Sequence, residues 1–272
     1  MRHVHLITAV CALGCGGAPS SPDGPGGRPI DAGTVDVPGH APGTPGAAAH
    51  GISFYHLADP HQPANTRSIS TPKLVTQASG SVIVVGIGRG DNTLFGTQAA
   101  PVLPTDSRGN APYEQLDTMH PYVPLYPESG TATYAFSAAR GGTDFQVTAS
   151  TGQNAKGQLD EVTLVAVEVV EATRIQAVRW REVTSPPLTS GSVTTTGPAT
   201  LIAFWWGDGF PGTPQSAMPD SGFTPIDTNA GEVDSFVQCA VAVKNVTAAG
   251  TYSLTWTAVP EQGAQLWLIA VQ

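Results

Sequence analysis

Aromatic, histidine and aspartate side chains in three segments of the chain have the chemistry to bind a glycan. The residues are Trp206 and Asp208, Asp91, and the group Tyr113, His120, Tyr122 and Tyr126. Aromatic rings offer flat apolar faces for stacking, and carboxylates accept hydrogen bonds from hydroxyl groups. Binding residues are frequent on loops that a rigid scaffold positions. If the three segments converge, an extracellular glycan is the expected ligand.

Trp206 has an alternative role in the core. It follows Trp205 directly, and adjacent residues of a strand point to opposite faces of a sheet. One ring is therefore expected to fill the core, while the other either packs beneath a loop or forms a sugar-stacking platform at the end of the strand.

A calcium ion is the one cofactor for which the sequence supplies candidate ligands. Asp106 and Asn110 offer side-chain oxygens within a single turn, the ligand type that calcium prefers. A turn in which the Asp106 side chain bonds to nearby backbone groups explains the same residues without a metal. The prediction is therefore no cofactor, with calcium as the alternative.

The motifs that announce enzymatic chemistry are not found in the sequence. It contains no Gly-x-Ser-x-Gly elbow, His-Glu-x-x-His, Cys-x-x-Cys or phosphate-binding loop. Cys239 lies in the apolar run 236–243, where a free cysteine behaves as a small hydrophobic residue. A non-catalytic protein is predicted, and a hydrolase that uses loop carboxylates remains an alternative.

The elements that must position these residues come from an internal repeat. The segment 79–91 matches 196–208 at a shift of 117 positions, and each copy is an apolar strand that ends in Gly-Asp. Further pairs follow in the same order, such as 163–168 with 267–272. We therefore expect two similar halves, at about 66–181 and 182–272.

The fold class expected from these patterns is all-β. Charged residues make up only 12% of the 272 residues, and the chain has 31 Gly and 24 Pro, a composition typical of many short strands and turns. Four runs, 82–85, 164–167, 201–206 and 266–271, are apolar at every position or nearly so and must be covered on both faces. The prediction is a single two-layer antiparallel β-sandwich over residues 51–272, jelly-roll-like and built from the two halves.

Several turn motifs of the chain resemble those of a loosely defined group of bacterial secreted β-sandwich modules. The run Asp106-Ser-Arg-Gly-Asn110 followed by Tyr113 is similar to the Asp-Ser-x-Gly-Asn turn of that group, although Pro112 adds one residue before the tyrosine. The runs 190–196 and 250–256 resemble other segments of the same modules. The resemblance covers most of residues 66–272 and implies the fold and a cell-surface setting, but no activity.

The N-terminus carries the features of an export signal. Arg2 and His3 precede a short apolar run, and residues 12–15 resemble the end of a bacterial lipoprotein signal, in which Cys15 would be lipidated and become the mature N-terminus. Residues 1–14 are predicted to be the signal peptide, and the Gly/Pro-rich residues 15–50 a disordered tether. The expected location is the bacterial cell envelope, on the outer membrane or cell surface.

These observations predict a membrane-anchored, exported, non-catalytic surface module that binds an extracellular ligand such as a glycan. A structural, assembly or adhesion protein that acts through contacts with a surface protein is the first alternative. Nucleic acid is not an expected partner, because the net charge of -9 comes without a basic cluster.

Overall fold

The described residues of the computed structural model are 41–56, 68–90, 103–122, 126–150, 161–208, 215–229 and 237–272. They contain no helix, so the all-β prediction is confirmed. Their strands, in chain order, are β1 (Gly46–His56), β2 (Ser68–Ser70), β3 (Ser79–Gly90), β4 (Thr105–Asp106), β5 (Glu114–Gln115), β6 (His120–Tyr122), β7 (Tyr126–Arg140), β8 (Val147–Ser150), β9 (Glu161–Val170), β10 (Ile175–Val183), β11 (Leu188–Thr189), β12 (Val193–Thr195), β13 (Ala199–Asp208), β14 (Ser216–Pro219), β15 (Thr224–Asn229), β16 (Val237–Val246), β17 (Gly250–Tyr252), β18 (Thr255–Val259) and β19 (Ala264–Val271).

The longest strands form two antiparallel inner sheets with the same strand order. Inner sheet 1 has the order β1-β9-β3-β7-β5, with β6 also paired to β7. Inner sheet 2 has the order β10-β19-β13-β16-β15. Position by position, β1 corresponds to β10, β9 to β19 and β3 to β13. The corresponding units thus start at β1 and β10, earlier in the chain than the predicted halves, and β1 begins within the segment predicted as tether.

Each inner sheet is covered on one face by shorter strands. Outer sheet 1, with the order β2-β8-β4, packs on inner sheet 1 through a cluster that includes Phe145, Val147 and Val85. Outer sheet 2, with the order β11-β18-β14, packs on inner sheet 2 beside the pair β12-β17, and the cluster beneath it includes Trp256 and Trp205. Each half is therefore a sandwich of its own.

The two inner sheets face each other and enclose the third apolar cluster of the molecule. Strand β1 lies against β15, and β16 lies against β9 and β3. At the other side of the interface, β6 of the first half meets β10 of the second, where His120 stacks on Trp180. The β1 edge of inner sheet 1 thus meets the β15 edge of inner sheet 2, and the β10 edge of inner sheet 2 meets β6 of inner sheet 1. An approximate two-fold axis along the strands produces this arrangement.

This stacking gives four layers of sheet where the sequence predicted two. The four runs that are apolar throughout lie in β3, β9, β13 and β19, and each has one face toward an outer sheet and the other toward the opposite inner sheet. Strands β9 and β19 are buried at every position. These strands show no alternation of apolar and polar residues, because a strand in an interior layer has no face in contact with water.

Glycine in β3 lets the inner sheets approach closely. Gly86 and Gly88 face inner sheet 2, and the rings of Phe204 and Trp206 pack onto them. A side chain at Gly88 would overlap the Trp206 indole, because the ring occupies the space of the missing Cβ. Close approach to another group is a frequent reason for glycine inside a strand.

Polar contacts also link the two halves. His50 Nδ1 of β1 lies 3.0 Å from Asp227 Oδ2 of β15, and both side chains are buried. On the far side, Thr131 Oγ1 of β7 donates to Gln265 Oε1 of β19 at 2.5 Å. Buried polar groups need such partners, so these contacts fix the register in which the halves dock.

We expect Gly88→Ala to destabilise the protein by about 1–3 kcal/mol or more, because the new methyl group overpacks the interface between the inner sheets. Gly86→Ala is the matched control: its Cβ would lie 3.1 Å from Val165 Cγ1 and 3.3 Å from the Phe204 ring, so a smaller loss is expected. Urea unfolding of both variants measures the difference. Equal losses would contradict the close packing of Trp206 on Gly88.

Candidate functional site

Three of the residues predicted to bind ligand meet in one aromatic cluster at the interface between the halves. The Tyr122 and Trp206 rings lie edge to face with centroids 5.6 Å apart. The His120 ring stacks on Trp180 at 3.7 Å and presents its edge to Trp267 at 5.3 Å. The sequence did not predict Trp180 and Trp267 as members of this cluster. They belong to β10 and β19 of the second half, whereas His120 belongs to β6 of the first.

The cluster is mostly interior. Trp206 is 2% exposed and Tyr122 is 1% exposed, so neither offers a ring face to solvent in this structure. His120 retains 18% of its side-chain exposure, and Trp180 is half-buried. The accessible part of the cluster is therefore the His120–Trp180 stack at its rim, on the side of β10.

A buried network of hydrogen bonds supports the cluster. Thr131 Oγ1 accepts from Trp267 Nε1 at 2.8 Å while donating to Gln265. Gln265 Nε2 in turn donates to the backbone carbonyls of His120 and Pro121 at 3.1 and 3.0 Å. The network fixes β6, and with it the His120 ring, against the second half.

Tyr113 lies in a different place, with Asp106 and Asn110. Asp106 accepts four hydrogen bonds: Oδ1 from the backbone N–H groups of Arg108 and Asn110, and Oδ2 from the Asn110 side chain and the Tyr113 hydroxyl. Burial, together with the bond to Asp106, raises the pKa of Tyr113. Gly109 completes the turn with a φ of 69°, in the left-handed region that favours glycine.

This turn is tied to the end of β7. The Asn110 side chain donates to the Arg140 carbonyl and accepts from the Arg140 N–H at 2.8 and 2.9 Å. The oxygens proposed as calcium ligands are thus engaged in hydrogen bonds in this structure. Within the ranges that the structure describes, no three histidine, cysteine or acidic side chains are grouped as metal ligands.

The remaining predicted residues are described only in part. Asp208 and Tyr126 belong to β13 and β7, but their side chains fall outside the described set, as do Asp91 and Cys15 entirely. Gly88 and Trp206 pack together two residues before the ends of β3 and β13. The two strands that carry the Gly-Asp sequences therefore end on the same side of the molecule.

Buried ionisable groups form a second set, which the sequence did not predict to be a site. Arg89 donates to the Ser150 carbonyl at 2.6 Å, and burial lowers its pKa against the opposing effect of Tyr134. Glu168 accepts from the Ser81 hydroxyl at 2.5 Å and from the Gln77 N–H at 2.8 Å, and burial raises its pKa. A strand pattern gives the face of such a residue but not its partners, which come from distant segments.

A surface groove runs along β10, the edge strand of inner sheet 2. Its volume is about 440 Å3, and it is lined by Leu116 and Asp117 of the first half and by residues 175–179 of β10. This size falls within the range of small-molecule sites. The sequence could not reveal the groove, because its two walls belong to different halves of the chain.

The groove lies where the two-fold correspondence fails. At the equivalent edge, β1 is covered by β15, which has six residues. The counterpart of β15 in the first half is β5, which has only two residues. Among the described strands, the two-residue β5 does not extend along the start of β10, and the two halves thus differ at this edge.

Comparisons with protein-family models, curated proteins and solved structures find no match. The described residues include no helix long and apolar enough to span a bilayer.

We expect His120 to make stability depend on pH. Burial lowers its pKa, with Asp117 acting in the opposite direction, so the folded state favours the neutral ring. The unfolded chain takes up this proton near the ordinary pKa of 6.5. Stability should therefore hold above that pH and fall as the pH drops through it toward the lower pKa of the folded state.

His120→Phe keeps a ring against Trp180 but removes the titration. The melting temperature of this variant should change less than that of the wild type between pH 7 and pH 5. The difference between the two profiles isolates His120 from the other histidines. Parallel profiles would show that His120 titrates alike in the folded and unfolded states.

Proposed function

We propose that the protein is an exported, envelope-anchored and non-catalytic module that binds an extracellular glycan in the groove along β10. The observation that carries this proposal is the groove itself, which lies at the edge where β5 has only two residues, whereas the six-residue β15 covers the equivalent edge at β1.

The walls of the groove have the mixed chemistry that a sugar ring requires. Leu116 and Val178 supply apolar surface for the C–H faces of a ring. Asp117 and Arg179 supply an acceptor and a donor for its hydroxyl groups, while the Gln176 amide is bonded to Thr196. The half-buried Trp180 lies on β10 directly after the residues that line the groove, although His120 covers one face of its ring.

The fold of each half also supports the proposal. Numbered within one half, without β6, β12 and β17, the eight remaining strands have the order 1-8-3-6-5 in the inner sheet and 2-7-4 in the outer sheet. We class this as jelly-roll-like, an architecture that recurs in lectin domains. Because one fold hosts many functions, the groove rather than the fold must carry the assignment.

Assembly through protein–protein contacts is a second candidate, and the position of β10 favours it. Among the described strands, β10 pairs only with β19, so its outer edge presents backbone groups that another strand could pair with. Arg179 and Arg181 are exposed on the same strand, and charges of this kind discourage unspecific edge pairing.

Arg179→Ala should weaken glycan binding about ten-fold or more, because a hydrogen bond from a charged group is lost. Arg181→Ala is the matched control, since it removes an exposed arginine two residues along the same strand but outside the groove. A glycan array identifies the ligand for the full-length chain, and titration calorimetry compares the variants. Equal loss in both variants, or a chain that binds no glycan and sediments as a dimer, would favour the assembly candidate.

Cys15→Ser should release the protein from the membrane fraction of a bacterial host and abolish its labelling by a fatty-acid analogue. The acyl chains on this thiol supply the membrane affinity in our proposal. Cys11→Ser is the control: Cys11 lies within residues 1–14, the predicted signal peptide, so both readouts should stay unchanged. Labelling that survives in Cys15→Ser would contradict anchoring at this residue.

A further inference from the structure

Two buried side chains with complementary reactivity meet between the inner sheets. Thr131 of β7, in the first half, and Gln265 of β19, in the second, are 3% and 0% exposed. The Thr131 hydroxyl oxygen Oγ1 lies 2.5 Å from the Gln265 amide oxygen Oε1. A threonine hydroxyl is one of the nucleophiles that form covalent acyl bonds in proteins, and a glutamine side chain carries an acyl group. The contact therefore places a nucleophile beside an electrophilic carbon.

Neighbouring groups hold both side chains in place. Trp267 Nε1 donates to Thr131 Oγ1 at 2.8 Å, which uses one lone pair of the hydroxyl oxygen and leaves the other for attack. The Gln265 amide nitrogen Nε2 donates to the backbone carbonyls of His120 and Pro121 at 3.1 and 3.0 Å. Positioning of this kind can raise an intramolecular reaction to effective molarities of roughly 10⁵–10⁸ M.

We propose that Thr131 and Gln265 form an intramolecular ester cross-link between the two halves. The terminal torsion of a glutamine is soft, so a turn of the amide presents its carbon Cδ to Oγ1. The Oγ1–Cδ bond forms and the Cδ–Nε2 bond breaks. The hydroxyl proton passes to Nε2, which leaves as ammonia, so the step needs no oxidant, reductant or added acyl donor. Glu182 Oε2 lies 3.5 Å from Nε2 and relays this proton.

The interior position of the two residues favours the product. Both are almost fully buried, so water, which would hydrolyse the ester, is excluded. The released ammonia is diluted in the solvent, which draws the reaction forward. The link ties β7 to the last strand of the second half and restricts the unfolded chain as a disulfide would. This role is separate from the groove and does not rest on the proposed function.

Mass spectrometry of the full-length chain tests the proposal without any substitution. Trypsin places Thr131 in the peptide 109–140 and Gln265 in the peptide 245–272. We expect the two peptides as one species, lighter than their sum by about 17 Da, the mass of the ammonia that the acyl transfer releases. Hydroxylamine, which cleaves esters, should separate them. Two unjoined peptides at their sequence masses would overturn the proposal.

Substitutions assign the link to these two side chains. Thr131→Val removes the nucleophile and Gln265→Glu removes the leaving nitrogen, so each should abolish the joined species. Thr131→Ser keeps a hydroxyl group and should retain it. Thr200→Val is the matched control, because the Thr200 hydroxyl also donates to a side-chain amide oxygen, that of Asn245 at 3.1 Å, and the joined species should survive. A joined species that persists in Thr131→Val would contradict the assignment.

Glu182→Gln tests the proton relay. The change keeps the size of the side chain but removes its basic group, so the joined species should form about 100-fold more slowly. The joined fraction is followed over time after a pulse of protein synthesis, in the variant and in the wild type. An unchanged rate would contradict the role of Glu182.

Discussion

The structure depends on the close contact between two glycines of β3 and two aromatic rings of β13. Gly86 and Gly88 remove side chains from the centre of inner sheet 1, and Phe204 and Trp206 fill the space. Without this fit the two sandwiches could not bury their inner faces against each other. Because the strands at the centre are apolar on both faces, either half alone would expose a large hydrophobic surface. The docking of the halves is thus a condition for the fold of each.

Docking about an approximate two-fold axis produces two similar edges, which differ in how the opposite half covers them. At β1, the six-residue β15 covers the edge, and the buried pair His50–Asp227 joins the halves. At β10, the two-residue β5 leaves a groove, and the interface is closed further along by the stacked rings of His120 and Trp180. The core of the molecule is therefore symmetric in outline, while the groove along β10 lies at only one of these two edges.

The sequence could predict the strand content because local patterns determine it, but it could not predict how strands face one another. The shift of 117 positions aligns Val84 with Leu201, yet Val84 faces the opposite inner sheet and Leu201 faces outer sheet 2. A repeat aligned one residue out of register exchanges the two faces of a strand. In a strand that is apolar throughout, no alternation reveals such an error.

The sequence could predict which residues take part in the candidate site, but not how they are arranged. His120, Tyr122 and Trp206 do come together, but as a cluster that is largely enclosed, because the sheet covering Trp206 comes from the other half of the chain. Similarly, Asp106, Asn110 and Tyr113 form a turn in which each polar group finds a protein partner. Residue types indicate which chemistry a side chain could perform. Whether the side chain is accessible for it depends on burial and hydrogen-bond partners, which long-range contacts determine.

Native-state hydrogen exchange tests most directly whether the two sandwiches form one cooperative unit. We expect the slowest amides of β3 and of β13 to share a single free energy of opening, equal to that of global unfolding, because neither inner sheet is stable with its face exposed. If the amides of one half open at a clearly lower free energy than those of the other, the halves unfold separately. That result would contradict the central role of the interface.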